Sequence, residues 1–251
     1  MKRKLILTFT IFLFVLIIQA QNDTMYVHYK TYLVAKFAVG DIDSVIFYKA
    51  TPKLKDIDGN EYEVITIDNQ TWMAENLKTT RLNDGTTIQL VNNDLTWKNL
   101  STSGYCWYDN DFISYKDVYG ALYNWFTVNT NKLCPTGWHV PSNSDWTTLV
   151  TYLGGENIAG GKMIETGTAH WTGPNNNATN SSKFSGLPAG RRNKDGQYEY
   201  LNIYAVWWAS TGGSTNADNR AIQNNSISII NITDGLNNRT TSGFSVRCIM
   251  D

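Results

Sequence analysis

Three cysteines, Cys106, Cys134 and Cys248, and three histidines, His28, His139 and His170, are the residues best suited to nucleophilic, redox or metal chemistry in this chain of 251 residues. Their spacing matches no common metal pattern: there is no C-x-x-C pair and no H-E-x-x-H helix face, so no metal or cofactor is assigned. A serine-hydrolase elbow, G-x-S-x-G, is also missing. Gly155 to Met163 imitates a phosphate-binding loop but lacks its Lys-Ser or Lys-Thr ending, and reads as a plain loop. Asp56-Ile57-Asp58-Gly59-Asn60 and Asn193-Lys194-Asp195-Gly196 contain pieces of a calcium loop. Neither is followed by the closing Glu of an EF-hand, so both read as hairpin turns. His139, between Trp138 and Val140, reads as a partly buried, satisfied ring rather than a catalytic base. His170, before Trp171, is a secondary candidate for ligand contact.

What remains is a stretch rich in aromatics, Arg and Asn: Arg191, Arg192, Tyr198, Tyr200, Tyr204, Trp207, Trp208, Arg220 and Asn224. Rings offer a sugar a flat apolar face, while Arg and Asn offer directed hydrogen bonds to hydroxyls or carboxylates. The candidate ligand set is therefore Arg191, Arg192, Tyr198, Tyr204, Trp208, Arg220 and Asn224, led by the loop-borne Arg191, Tyr198 and Arg220. Strand alternation sends at least one of Trp207 and Trp208 into the core.

The elements that must position these residues are mostly short strands and loops. The turn pairs Asp58-Gly59, Asp84-Gly85, Asp195-Gly196 and Asp234-Gly235 separate strand-like runs. Ser142-Asn143-Ser144-Asp145 has the spacing of a capping box. Trp146, Leu149, Val150 and Leu153 then share one helical face, and Gly154-Gly155 supplies a stop. A second short helix is expected over Val118 to Val128, with Val118, Leu122, Trp125 and Phe126 on one face. No repeat of solenoid or propeller period is visible. Asn clusters at 175–177, 224–225 and 237–238 mark polar loops, and the sequons at Asn99, Asn177 and Asn231 carry little weight in so Asn-rich a chain.

A hydrophobic share of 42% against 17% charged residues supports a folded core rather than a disordered tail. Lys2-Arg3-Lys4 followed by the apolar run Leu5 to Ile18 reads as a cleaved export signal over residues 1–20, too short for a membrane span. No Cys follows it to take a lipid, and no later run approaches spanning length. Removing that segment leaves 21 − 3 = 18 basic against 22 acidic side chains, a net charge of −4. With Arg191-Arg192 as the densest basic spot, a nucleic-acid partner is not expected. An exported chain meets oxidising conditions, which makes the three cysteines disulfide candidates with one left over. Residues 21–52 alternate like two or three short strands, turn at Gly40-Asp41 and end at Pro52, forming a small preamble before a main domain at 53–251.

Six strings within that main domain are recognisable: Asp58 to Tyr62 with Ile67 to Leu77, Tyr119-Gly120-Ala121-Leu122-Tyr123-Asn124-Trp125, Cys134 to Pro141, Trp207 to Thr211, and Gly243-Phe244-Ser245-Val246-Arg247-Cys248. In this order they resemble the Fibrobacter succinogenes major paralogous domain over nearly all of 56–251. Residues 24–50 look like a short preamble found on surface proteins of the Bacteroidetes group. The resemblance implies an α+β, C-type lectin-like fold, related also to the formylglycine-generating enzymes, with two short helices, a twisted antiparallel β-region and long loops. It brings no established activity. It implies a disulfide between Cys134 and Cys248, with Cys106 a buried free thiol beside Trp107.

Sugar-binding lectins of this fold hold calcium through a Glu-Pro-Asn or Gln-Pro-Asp loop and a Trp-Asn-Asp triplet, and neither occurs here. The copper-binding cysteine pair of the formylglycine generators is also incomplete, since only Cys248 lies near the end. The expected function is an exported, secreted or surface-associated binding module for a glycan or another surface protein, without catalysis. The alternatives are an oxidase of the formylglycine-generating type or a structural envelope component.

Overall fold

The computed structural model describes residues 7–9, 24–29, 32–38, 47–49, 53–213, 217–230 and 241–251. Most of the expected signal segment, the Gly40-Asp41 turn, Pro52, Asn231, the 237–238 Asn pair and the Asp234-Gly235 turn lie outside these residues. The chain divides into two compact units, Met1–Pro52 and Lys53–Asp251. The first contains β1 (Leu7–Phe9), β2 (Thr24–Tyr29), β3 (Tyr32–Ala38) and β4 (Phe47–Lys49). There β2 and β3 form an antiparallel hairpin, and β1 runs parallel to β4.

The second unit opens with β5 (Leu54–Lys55) and β6 (Glu61–Tyr62), joined through the Asp58-Gly59 turn. The hairpin β7 (Val64–Ile67) and β8 (Gln70–Met73) follows, then β9 (Gln89–Leu90), helix α1 (Asp94–Lys98) and β10 (Gly104–Cys106). Next come α2 (Phe112–Tyr119), β11 (Leu122–Tyr123), α3 (Trp125–Val128), β12 (Trp138–His139), α4 (Asn143–Tyr152) and α5 (Glu156–Met163). The remainder is β13 (Arg191–Arg192), β14 (Tyr198–Glu199), β15 (Tyr204–Gly212), β16 (Ala217–Gln223) and β17 (Ile249–Met250). The end of this unit returns to its beginning: β17 lies between β12 and β8 in a four-stranded sheet of order β12-β17-β8-β7. A second sheet has the order β11-β10-β9, and β13-β14 and β15-β16 form two separate hairpins.

The α+β class holds, but the two-helix lectin-like plan does not. The described residues carry five α-helices, three of them eight residues or longer. Where one helix was expected over 118–128, the chain breaks. Gly120 closes α2 at φ +73°, and a Cβ there would lie 2.7 Å from the Leu77 carbonyl. Asn124 then caps the single turn α3 by accepting from the Thr127 amide. The supposed loop 155–163 is α5, whose glycines hide a helix from propensity rules: Gly160 and Gly161 press against the 227–228 and 177 backbone. α4 forms where its capping box places it, with the Ser142 hydroxyl accepting from the Asp145 amide and the Asp145 carboxylate accepting from the Ser142 amide.

Two large apolar clusters and a smaller one of Val91, Trp97, Cys106 and Leu122 fill this unit, and β15 contributes to both large ones. Val206 and Trp208 point into one, with Tyr62, Met73, Trp125 and Phe244. Ala205, Trp207 and Ala209 point into the other, with Trp72, Trp146, Trp171 and Phe184. Alternation along a strand ordinarily separates core from solvent, but a ribbon covered on both sides buries both sets. Trp207 and Trp208 are accordingly both fully buried.

Candidate functional site

Tyr115 and Tyr119 lie four residues apart on α2 and therefore on one helical face, their ring centroids 5.9 Å apart. The helix is started by Asp111, whose carboxylate accepts from the Ser114 amide. Just before it, Tyr108 meets Tyr115 at 5.5 Å and Tyr198 of β14 at 5.2 Å. At the other end Tyr119 stands edge-on to the His170 ring at 5.8 Å. Five rings thus line up across three chain segments. Beside them Tyr200 contacts Tyr204 at 5.1 Å, and the Arg191 guanidinium lies over the Tyr200 ring at 5.0 Å. The apolar rim includes Phe112, 51% exposed, and Ile113, 91% exposed.

Hydrogen bonds hold this face together. The Tyr119 hydroxyl donates to Asn202 Oδ1 at 2.7 Å, and the Tyr198 hydroxyl donates to Asn110 Oδ1 at 2.7 Å. Gly190, at φ +64°, lets the β13 entry pass close by; a Cβ there would lie 2.5 Å from the Glu199 carbonyl and 2.9 Å from the Tyr108 ring. Burial, then the nearby Tyr115 and Glu165, push the Tyr119 phenol up to about 12, and burial also raises Tyr108 and Tyr198. All three stay protonated donors at neutral pH. Arg191 places Nε and Nη2 on Glu199 Oε2 at 2.9 and 2.7 Å, and His170 Nδ1 lies 2.9 Å from Glu165 Oε2. The Tyr119 and Tyr198 protons are committed to Asn202 and Asn110, which fixes those rings, while the exposed parts of Tyr108, Tyr115 and Tyr200 can stack a flat ligand.

The family model of the Fibrobacter succinogenes major domain matches residues 65–250. The chain belongs to that family. Its match spans every ring of the face described above. Searches of curated proteins and of solved structures each returned no match.

Within this Fibrobacter succinogenes major domain, the residues expected to bind ligand are dispersed. Arg191, Tyr198 and Tyr204 belong to the tyrosine face, and Asn224 lies at its margin, its amide donating to the Ile203 carbonyl and its side chain to the Thr172 carbonyl. Arg192 is fully buried beneath the face, with its guanidinium against Trp97 at 4.6 Å and Tyr198 at 4.9 Å. It donates to the Gly196 carbonyl and, at 2.8 Å, to Asp94 Oδ1. Trp208 is fully buried, its indole donating to the Tyr123 carbonyl and its ring 4.4 Å from Phe244. Arg220 is elsewhere, buried at the start of α4, where it donates to Asn143 Oδ1. Burial takes Arg192 and Trp208 off the surface.

Tyr108, Tyr115 and Tyr119 were absent from the expected set. Their signal was the i, i+4 tyrosine pair of 115 and 119, hidden by placing the helix at 118–128. The remaining expected features take structural positions. Cys134 and Cys248 are disulfide-bonded, and Cys106 is a buried free thiol. Burial pushes that thiol up to about 11. His139 bridges two carboxylates, Asp251 at 2.6 Å and Asp145 at 3.3 Å.

The Asp56–Asn60 segment is a saturated turn. Asp56 accepts from the Asp58 and Asn60 amides and from the Tyr62 hydroxyl. Burial alone would raise the Asp58 carboxyl, but bonds from the Thr80 amide, Arg81 and the Thr80 and Thr79 hydroxyls hold it below the usual range. Among the described residues no group of three or more His, Cys, Asp or Glu side chains could hold a metal ion. None of their helices is long and apolar enough to cross a membrane.

Proposed function

We propose that the chain is an exported binding module whose tyrosine face recognises a glycan, without catalysis. The observation that carries this reading is the line of half-buried rings Tyr198, Tyr108, Tyr115 and His170, propped from beneath by the buried Tyr119, held on a helix and a hairpin and bordered by exposed Phe112 and Tyr200. Rings fixed in this way stack on a sugar at little conformational cost, because few side-chain torsions must be ordered on binding. Export is supported by the basic-then-apolar start of the chain and by the Cys134–Cys248 disulfide, which persists in oxidising compartments. A binding role is favoured over an oxidase of the formylglycine-generating type because Cys248, the thiol that chemistry would need, is already joined to Cys134.

The test is a glycan array probed with the purified protein, with calcium and again with chelator. Binding is expected in both arms and should fall at least tenfold for Tyr115→Ala. Silence in both arms would overturn the glycan reading in favour of protein recognition.

A further inference from the structure

Resting on that glycan reading, we propose that Tyr200, at the border of the face, is its principal stacking platform and that the site takes uncharged sugar rings in preference to acidic ones. Tyr200 stands at φ +62°, a left-handed conformation that costs any L-residue other than glycine free energy and is an outlier for a bulky side chain. The turn that imposes it is tight: the Tyr200 carbonyl accepts from both the Ile203 and Tyr204 amides at 3.0 Å, and Asn202 is left-handed as well, at φ +63°. Asn or Gly would satisfy this backbone with less strain. Nor does burial compensate, since the residue remains 44% exposed, with its ring against Arg191 and the edge of Tyr204. The contacts with Arg191 and Tyr204 fix the orientation of the ring but leave much of it open to solvent, and backbone strain of this kind clusters where ligands bind.

The polar surroundings decide what the ring meets. The Arg191 guanidinium over Tyr200 is neutralised by Glu199, with two of its nitrogens on one carboxylate oxygen. The other Glu199 oxygen accepts from Asn193 Nδ2 at 2.7 Å. His170, at the far end of the ring line, carries its own carboxylate, Glu165. The 108–119 segment adds one cation, Lys116, above the Phe112 ring at 5.2 Å, against Asp109, Asp111 and Asp117. Each cation is matched or outnumbered by acids, so a carboxylated or sulfated ligand meets net repulsion while a neutral pyranose loses nothing.

The full chain should be assayed by affinity electrophoresis and calorimetry against neutral polymers (β-glucan, mannan, xylan) and acidic ones (polygalacturonate, alginate). Retention by at least one neutral polymer and none by the acidic ones is expected. Tyr200→Asn should weaken that binding at least tenfold while the thermal midpoint stays the same or rises, which separates lost contact from lost fold. Glu199→Gln, by exposing the Arg191 charge, should introduce binding to the acidic polymers. Preference of the native protein for acidic polymers, or undiminished binding by Tyr200→Asn, would overturn this inference and leave the glycan reading standing. Retention by neither class would overturn both.

Discussion

Asn76 shows how much one neutral side chain can hold in place. Its carbonyl oxygen accepts from Trp207 Nε1 at 2.8 Å and from Arg247 Nε at 3.1 Å, while its amide nitrogen donates to the Tyr119 carbonyl at 2.9 Å. Arg247 is buried and, among the described residues, forms no ion pair; it rests on the Phe184 ring at 4.2 Å and donates to the Phe184 and Ser185 carbonyls. Burial lowers its pKa to about 9, which still leaves it charged at neutral pH. Asn76→Ala would strand part of that charge and the Trp207 N–H, so a loss of about 2–4 kcal/mol is expected from guanidinium denaturation. A loss below about 1 kcal/mol would mean that water enters and replaces the amide. The same residue types explain why the candidate site was only half legible. Arg191 and Arg192 are neighbours on one strand, and Tyr198 and Trp208 are both aromatic, yet only one of each pair reaches the surface. Alternation along a strand reveals which residues share a face, but not whether that face is covered. Here β15 is covered on both faces and the inner face of β13 lies on Trp97.

At the level of elements, helices were legible where local chemistry was complete and hidden where a partner's backbone set the rule. α4 carries its own start signal and an apolar face at i, i+3, i+4 and i+7, so nothing outside residues 142–153 is needed to place it. α5 is different. Gly160 and Gly161 count against a helix by propensity, yet they are where the 227–228 and 177 backbone comes closest. A Cβ on Gly160 would lie 2.7 Å from the Ser228 carbonyl oxygen and 2.8 Å from that of Ile227. Gly→Ala inside a helix ordinarily gains about 1 kcal/mol. At this site the clash, about 1–3 kcal/mol for an overpacked position, outweighs the gain. Gly160→Ala should therefore lower the thermal midpoint, and an increase would show that the 227–228 segment yields to α5. The break between α2 and β11 has the same origin: Gly120 lies against Asn76 and Leu77, a contact from 44 and 43 residues upstream that periodicity within 118–128 cannot register.

Across the whole second unit, the chain's end is tied to its middle both covalently and through the sheet. Cys134 and Cys248 are 114 residues apart, and the bond joins the approach to β12 with the approach to β17, the two strands that pair in the four-stranded sheet. Loop-closure entropy for a span of that length amounts to about 4–5 kcal/mol in the chain-entropy model, a large part of the stability of an ordinary domain. This pairing followed only from family resemblance, because three cysteines allow three pairings and spacing alone does not choose among them. Replacing both Cys134 and Cys248 with Ser should cost up to about 4–5 kcal/mol in denaturant midpoint analysis, with the folded spectrum retained in the absence of denaturant. Cys106 supplies the internal control. It is fully buried in the cluster with Val91, Trp97 and Leu122, and its thiol is pushed up to about 11, so the native protein at neutral pH should resist iodoacetamide. After denaturation without reductant one alkylated cysteine is expected, at position 106, rising to three with reductant. Alkylation of Cys134 or Cys248 without reductant would overturn the bond. Alkylation of Cys106 in the native state would instead show that the floor of the tyrosine face, where Arg192 and Tyr198 pack over that thiol, opens at neutral pH.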